Sequence, residues 1–138
     1  MRAVLDVNVL VLALISPSGS PAQLIRAWAA GEFELFVSPA LLEELRRALG
    51  YAKVTRLIPP DDAELSVAWL LRLATLARDA VSPPPIRSSD PNDDYLIALA
   101  AEQSAALVTG DRHLLGVAGS FPIHEPADFL AMLARPTS

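Results

Sequence analysis

The protein has 138 residues, 52% apolar and 20% charged, a balance typical of a folded globular chain rather than a disordered one. It has no cysteine, which excludes disulfides, thiolate nucleophiles and thiolate-bound zinc or iron–sulfur sites. Its two histidines argue against a histidine-rich metal site or a Ser-His-Asp triad. The net charge of −5 is unlike that of proteins that coat nucleic acids with a basic surface, and any bound metal would be a hard cation held by oxygen.

The first half of the chain predicts two strands that alternate with two helices. Residues 2–6 and 34–37 are short apolar runs with the length and β-branching of buried strands. A serine followed by proline starts each helix and a glycine ends it, which predicts helices over 20–31 and 38–50, the first with Ser20 as its N-cap.

The second half continues the alternation. Asp61 and Glu64 have the spacing of a capping box and predict a helix to about Ala80, and an aspartate–proline pair at 90–91 predicts another to about Gln103. The remaining elements, in chain order, are a strand over 106–109, a short helical turn after Asp111, a weak strand near Ile123 and a helix from Pro126. Short apolar strands between helices must bury both faces, so we predict an α/β fold in three layers, α/β/α, with a central parallel sheet.

We expect carboxylates from distant parts of the chain to converge at one edge of this sheet. Ligands bind beyond the carboxyl ends of parallel strands, and Asp6 and Asp111 lie at or just after such ends. Asp90 and Asp93 begin the helix before the 106–109 strand, and a right-handed crossover would bring them to the same edge. Asp6 closes a buried strand with no lysine or arginine nearby in sequence, so it needs a partner.

Helical geometry, at about 100° per residue, separates neighbouring acids. In the helix over 38–50, Glu44 lies about 100° from the centre of the apolar stripe and Glu43 about 160°, so we predict that Glu44 borders the buried face and Glu43 points to water. In the helix after residue 90, Asp93 lies about 40° from the stripe and Asp94 about 140°, so we predict an inward Asp93 and a solvated Asp94.

Inward carboxylates without matching bases would repel one another and raise their own pKa values unless a cation lies between them. Mg²⁺ prefers oxygen ligands and keeps several waters, one of which it can make nucleophilic. Taken singly, each acid is also explained as a helix cap or a surface charge, so the case depends on their convergence.

Four segments in this order resemble the PIN domain, the nuclease fold of VapC-type toxins. They read VLDVN at 4–8, SPALLEEL at 38–45, DPNDDYL at 90–96 and LVTGD at 107–111. The resemblance implies an endoribonuclease that cleaves single-stranded RNA with Mg²⁺ or Mn²⁺, as the toxin of a toxin–antitoxin pair with a small antitoxin protein as partner. Homodimers are common in the family, and the apolar helices that carry Trp28 and Trp69 could form a dimer face. Packing in the core of one chain explains the two tryptophans equally well.

The same resemblance places the metal-binding and catalytic acids at Asp6, Glu44, Asp93 and Asp111, with Asp90 in an assisting position. It matches Asn8 and Thr109 to polar positions that line the site and meet substrate. No acid follows Asp111 where many relatives have one, which argues against a second metal position. Independently of the resemblance, Arg46, Arg47, Lys53 and Arg56 follow Glu44 closely and would either contact RNA phosphates or form a solvated helix face.

Three alternatives have less support. A haloacid-dehalogenase-type phosphatase needs a second acid at the position of Asn8 and a catalytic lysine or arginine, and the sole lysine, Lys53, lies in the wrong segment. A receiver domain needs paired acids at the first strand and a late lysine, which are absent. A non-catalytic RNA-binding or interaction module with the same fold would have no need of all four acids.

The length and the N-terminus complete these expectations. A chain of 138 residues predicts one domain over 1–138. Asp6 interrupts the apolar stretch that a signal peptide needs, and the longest apolar run, 9–15, is shorter than the roughly 20 residues that span a bilayer. We therefore expect a cytoplasmic protein.

Overall fold

A central parallel sheet organises the computed structural model, which describes residues 1–135. The strands are β1 (Arg2–Leu5), β2 (Glu34–Val37), β3 (Thr75–Leu76), β4 (Ala106–Val108) and β5 (Ile123–His124). All four neighbouring pairs are parallel, in the order β3-β2-β1-β4-β5. The helices are α1 (Val7–Ile15), α2 (Ser20–Ala29), α3 (Pro39–Leu49), α4 (Ala52–Thr55), α5 (Pro60–Leu73), α6 (Asp94–Glu102), α7 (Arg112–Leu115) and α8 (Pro126–Ala134). The predicted three-layer α/β/α fold is confirmed.

The strand order creates a switch point between β1 and β4. From β1 the chain builds outward through β2 to β3, then returns to the other side of β1 with β4 and β5. Helices that leave neighbouring strands in opposite directions open a crevice at the carboxyl edge, where ligands bind in sheets of this kind. Asp6 follows β1 and residues 109–111 follow β4, so the switch point lies between two predicted site segments.

Two of the predicted helix ends are confirmed in detail. The Ser38 hydroxyl accepts a hydrogen bond from the Leu41 N–H (3.3 Å) and caps α3. After α2, Gly31 adopts a φ of 81°, and its N–H donates to the carbonyl of Trp28 (2.9 Å) while the N–H of Glu32 donates to that of Ala27 (3.0 Å). This pattern is a Schellman motif, which requires a left-handed residue and so favours glycine.

Other local predictions were wrong. Helix α1 was not predicted, because its sequence VNVLVLALI is apolar on almost every face and so carries no helical periodicity. Ser20 is the first residue of α2, after Gly19 as N-cap, and the Asp61 and Glu64 pair makes no capping box because α5 begins at Pro60. Helix α5 ends at Leu73 rather than near Ala80, since the chain there turns into the two-residue strand β3.

The described residues contain no single helix long and apolar enough to cross a membrane, and α1 and α2 reach that length and composition only together, across a bend of 96°.

Candidate active site

Asp6 and Thr109 form the fixed part of the site, at the switch point. The Asp6 N–H donates to the carbonyl of Val108 (2.9 Å), which continues the pairing of β1 with β4 by one residue. Thr109 is fully buried, and its hydroxyl donates to Oδ2 of Asp6 (2.7 Å). Burial raises the pKa of Asp6, and the charge of Asp111 raises it further against the opposing Thr109 hydrogen bond.

Thr109 also holds the second acid of this edge. Its Oγ1 accepts a hydrogen bond from the backbone N–H of Asp111 (3.0 Å), so one hydroxyl connects both segments. Asp111 in turn caps α7, because its Oδ1 accepts from the N–H of His113 (2.8 Å). Thr109 was predicted to bind substrate, but its side chain has 0% exposure, so we assign it a positioning role instead.

Asp93 carries the electrostatic signal of the site. It lies in a 3₁₀ turn, Pro91–Asp93, directly before α6. Its Oδ2 is buried and has no hydrogen-bond partner among the residues that the structure describes. Burial, and then the charges of Asp111, Asp6 and Asp90, raise its pKa to about 7. A buried carboxylate oxygen without a donor, among like charges, is the environment that a cation would relieve.

Glu44 reaches the site from α3. It is half-buried, and its Oε2 accepts a hydrogen bond from the hydroxyl of Tyr95, which lies on α6. Glu43 is exposed and pairs with Arg47 (3.4 Å) one helical turn further on. The predicted directions of the two glutamates are therefore confirmed. Burial is the largest cause that raises the pKa of Tyr95, and the charges of Glu44, Asp6 and Asp93 add to it, which ties Glu44 electrostatically to the other acids.

The prediction of a solvated Asp94 was wrong. Asp94 has 6% exposure, and its Oδ1 accepts from the N–H of Ser88 (2.8 Å) and from the Ser88 hydroxyl (3.1 Å). Arg87 adds a long contact of 3.5 Å to the other oxygen. The helical phase failed here because the loop before α6 folds over Asp94 and buries it, and the periodicity of a helix carries no information on such a contact. The only sequence feature connected with this loop contact is the serine pair before Asp90.

Asp90 is held by the same loop. Its Oδ1 accepts from the N–H of Asn92 (3.0 Å), so it is the N-cap that the aspartate–proline pair predicted. Its carbonyl accepts from the Ser88 hydroxyl (2.6 Å) and its N–H donates to the same oxygen (3.2 Å). Since Ser88 is itself bound by Asp94, the buried Asp94 anchors the segment that carries Asp90.

The remaining predicted substrate-binding residues lie on two sides of the acids. Asn8 is exposed at the start of α1 and lines a cavity of about 650 Å³ together with Asp111. On the other side Arg47 lines a cavity of about 480 Å³ with Glu44. Arg46 is exposed and lines neither of these two cavities.

The contact between Tyr95 and Glu44 was not predicted. The two residues lie 51 positions apart in sequence. No local pattern reports such a pair, because it depends on how α3 and α6 meet across the carboxyl edge.

The acids fit a hard cation by their chemistry. Among residues 1–135, no three acidic or histidine side chains are already arranged as a cage for one ion. All the donors offered are nevertheless carboxylate oxygens, the ligand type that Mg²⁺ and Mn²⁺ prefer. The buried Oδ2 of Asp93 accepts no hydrogen bond from the described residues, so it is free to bind a cation.

These features define the class of protein, an α/β/α domain with a carboxylate-lined site at the switch point of a parallel sheet. The sequence model of the PIN domain family matches residues 2–113, so the chain belongs to that family. This membership supports hydrolase activity of the nuclease type, and it removes the haloacid-dehalogenase alternative.

The chain is similar to one protein in sequence and to two solved structures in fold. MJ1680 of Methanocaldococcus jannaschii, described as an uncharacterized protein, is 24% identical over 121 residues, which cover 85% of this chain and 75% of that protein. PAE2754 from Pyrobaculum aerophilum superimposes with a TM-score of 0.63 and 20% identity over 97% of this chain and 90% of its own. The VapBC2 structure from Rickettsia felis, bound to a DNA fragment from the promoter, gives a TM-score of 0.60 at 16% identity, covering 91% of this chain and 98% of that chain.

Proposed function

We propose that this protein is an endoribonuclease that cleaves single-stranded RNA and requires Mg²⁺ or Mn²⁺. The observation that carries the proposal is the buried, unpartnered Oδ2 of Asp93, whose carboxyl has a pKa raised to about 7 among neighbouring acids. Repulsion of this size is unfavourable for the fold alone, and it is relieved when a cation is bound. The acids that would hold the ion are Asp6, Glu44, Asp93 and Asp111, assisted by Asp90.

Each acid has a defined support in this scheme. When bound, the cation supplies a nucleophilic water and neutralises charge on the phosphate. Thr109 orients Asp6, and Tyr95 orients Glu44 through its hydroxyl. The exposed amide of Asn8 can donate a hydrogen bond to a phosphate or ribose oxygen, and the guanidinium of Arg47 can approach a phosphate from the opposite cavity.

A small antitoxin protein is the partner we propose, with the cytoplasm as the location. The support is the similarity of fold to a toxin–antitoxin structure, together with an apolar pocket between α1, α2, α3 and α5. Trp69 lines this pocket and is partly exposed, in edge-to-face contact with the buried Trp28 at 5.0 Å between ring centroids. The same surface is the one we propose for a homodimer in the absence of antitoxin, which light scattering of the purified chain would detect.

The test is a cleavage assay with matched glutamate variants. Labelled single-stranded RNA, single-stranded DNA and duplex RNA are incubated with the protein in Mg²⁺, in Mn²⁺ and in excess chelator. We expect cleavage of the single-stranded RNA in either metal, none in chelator, and none with Glu44→Gln, while Glu43→Gln keeps activity. Equal cleavage in chelator would contradict the metal requirement. RNA binding without cleavage under every condition would favour the non-catalytic module instead.

A further inference from the structure

An apolar channel runs from the acid site along the outside of the fold. It is formed by α1 and α4, with the end of α3 and the first residue of α8, and encloses about 650 Å³. Its lining includes Asn8, Gly110 and Asp111, so the channel adjoins the proposed site. The volume lies within the range of about 300–1,000 Å³ that small ligand sites occupy.

The walls of the channel are apolar and its outer part is open to water. Leu12 and Ile15 of α1 line it together with Val54 and Leu57. Two of the lining residues are largely exposed, Leu57 at 64% and Tyr51 at 55%. Exposed apolar surface that continues into a polar site marks a place where a ligand is bound, because leaving it in water is unfavourable.

Two cations accompany the apolar walls. Lys53, the only lysine of the chain, lines the channel, and Arg56 lies one turn further along the same segment. Neither forms an ion pair with any residue of the described part of the chain. An occupant with a flat apolar portion and an adjacent anion satisfies both the walls and the cations, and this is the chemistry of a nucleotide in a single strand.

We propose that the channel is a base subsite, which takes one unpaired base of the RNA next to the cleaved phosphate. The base stacks on the ring of Tyr51, and Lys53 contacts the phosphate that follows it. The proposal rests on the proposed function and deepens it, since it names a second contact of the same substrate. The walls offer few hydrogen-bonding groups, so the subsite accepts any base by stacking and does not read the base edge.

The experiment measures cleavage and binding of a short single-stranded RNA with one known cleavage site. Tyr51→Ala should raise KM about 10-fold with kcat nearly unchanged, and Tyr51→Trp should restore it, because stacking needs only an aromatic face. Lys53→Gln should raise KM and flatten its salt dependence. Leu65→Ala and Arg72→Gln, exposed changes on α5 away from the channel, are the matched controls and should behave as the unaltered protein.

An abasic nucleotide moved along the same RNA gives the decisive comparison. At one position beside the cleavage site it should weaken binding as much as Tyr51→Ala, and combining the two should add nothing, because both remove the same contact. The subsite would be overturned if the two losses of binding add when combined, or if Tyr51→Ala causes no loss. In either case, RNA cleavage by the unaltered protein would leave the proposed function standing. Absence of RNA cleavage by the unaltered protein would overturn both. If Tyr51→Ala and Lys53→Gln leave the RNA kinetics unchanged but weaken binding of an antitoxin, the channel binds a protein side chain. That result would also overturn the subsite.

Discussion

Replacement of Asp93 by asparagine tests the electrostatic reasoning most directly. The pKa of Asp93 is raised from 3.8 to about 7 in the folded chain, so the folded state keeps a proton that the unfolded state loses between these values. Without metal, the contribution of Asp93 to the free energy of unfolding therefore falls as pH rises from about 4 to about 7, and it is level above that. A shift of about 3 units corresponds to at most about 4 kcal/mol, and because the carboxyl is only partly buried, solvent screening reduces this to roughly 1–2 kcal/mol.

Urea unfolding in chelator at pH 4 and pH 8 measures this difference. We expect Asp93→Asn to be more stable than the unaltered protein at pH 8 by roughly 1–2 kcal/mol, and by clearly less than that at pH 4, where the carboxyl is largely protonated in the folded state. All other titratable groups are the same in the two proteins, so their contribution cancels in the comparison. Equal pH dependence of the two proteins would refute the placement of Asp93 among repelling charges.

Metal reverses the direction of this pH dependence. A cation binds the ionised carboxylate, so Mg²⁺ should stabilise the unaltered protein more at pH 8 than at pH 6. At pH 8 the stabilisation should be about 2.7 kcal/mol when the Mg²⁺ concentration is 100 times the Kd. Asp93→Asn should lose most of that response. A Tm that ignores Mg²⁺ across the millimolar range at pH 8 would refute a metal site that includes Asp93.

Three further changes separate direct from supporting roles. Glu44→Gln should lower kcat at least about 100-fold while Glu43→Gln stays within about 2-fold of the unaltered protein, because only Glu44 faces the acids, and single-turnover cleavage would measure both. Tyr95→Phe should weaken Mg²⁺ binding about 10-fold, as removal of a group that orients a metal ligand does, with little change in Tm, and calorimetric titration would measure it. Asp94→Ala should lower the free energy of unfolding by about 1–3 kcal/mol, because the N–H and hydroxyl of Ser88 lose their acceptor. Urea unfolding measures this, and an unchanged free energy of unfolding would contradict it.

The sequence predicted what depends on local chemistry. Proline and serine at a helix start, glycine at φ > 0 and an acid at a strand end act within a few residues, so α3, the end of α2 and the position of Asp6 could be inferred from them. The directions of Glu43 and Glu44 followed from helical phase because α3 is a regular α-helix over both residues.

The failures have a common physical cause, which is structure that only a distant partner determines. Strand β3 exists because its two residues pair with Phe36 and Val37 of β2. A segment of two residues is too short to carry a strand pattern in its own sequence. Asp94 is buried by a loop that lies before it in sequence, and its contact with Ser88 of that loop does not depend on the phase of α6.

The two halves of the proposed site differ in how firmly they are held. Asp6 and the start of the Asp111 segment are fixed to the central strands through one buried hydroxyl, that of Thr109, so they move only with the sheet. Glu44 and Asp93 come from α3 and the turn before α6, and each reaches the site by a half-buried side chain. On the proposed function, the sheet-borne acids set where the cation binds and the helix-borne acids adjust to it. A site built this way needs no ready-made cage, because a cation attracts all four carboxylates and relieves the repulsion among them.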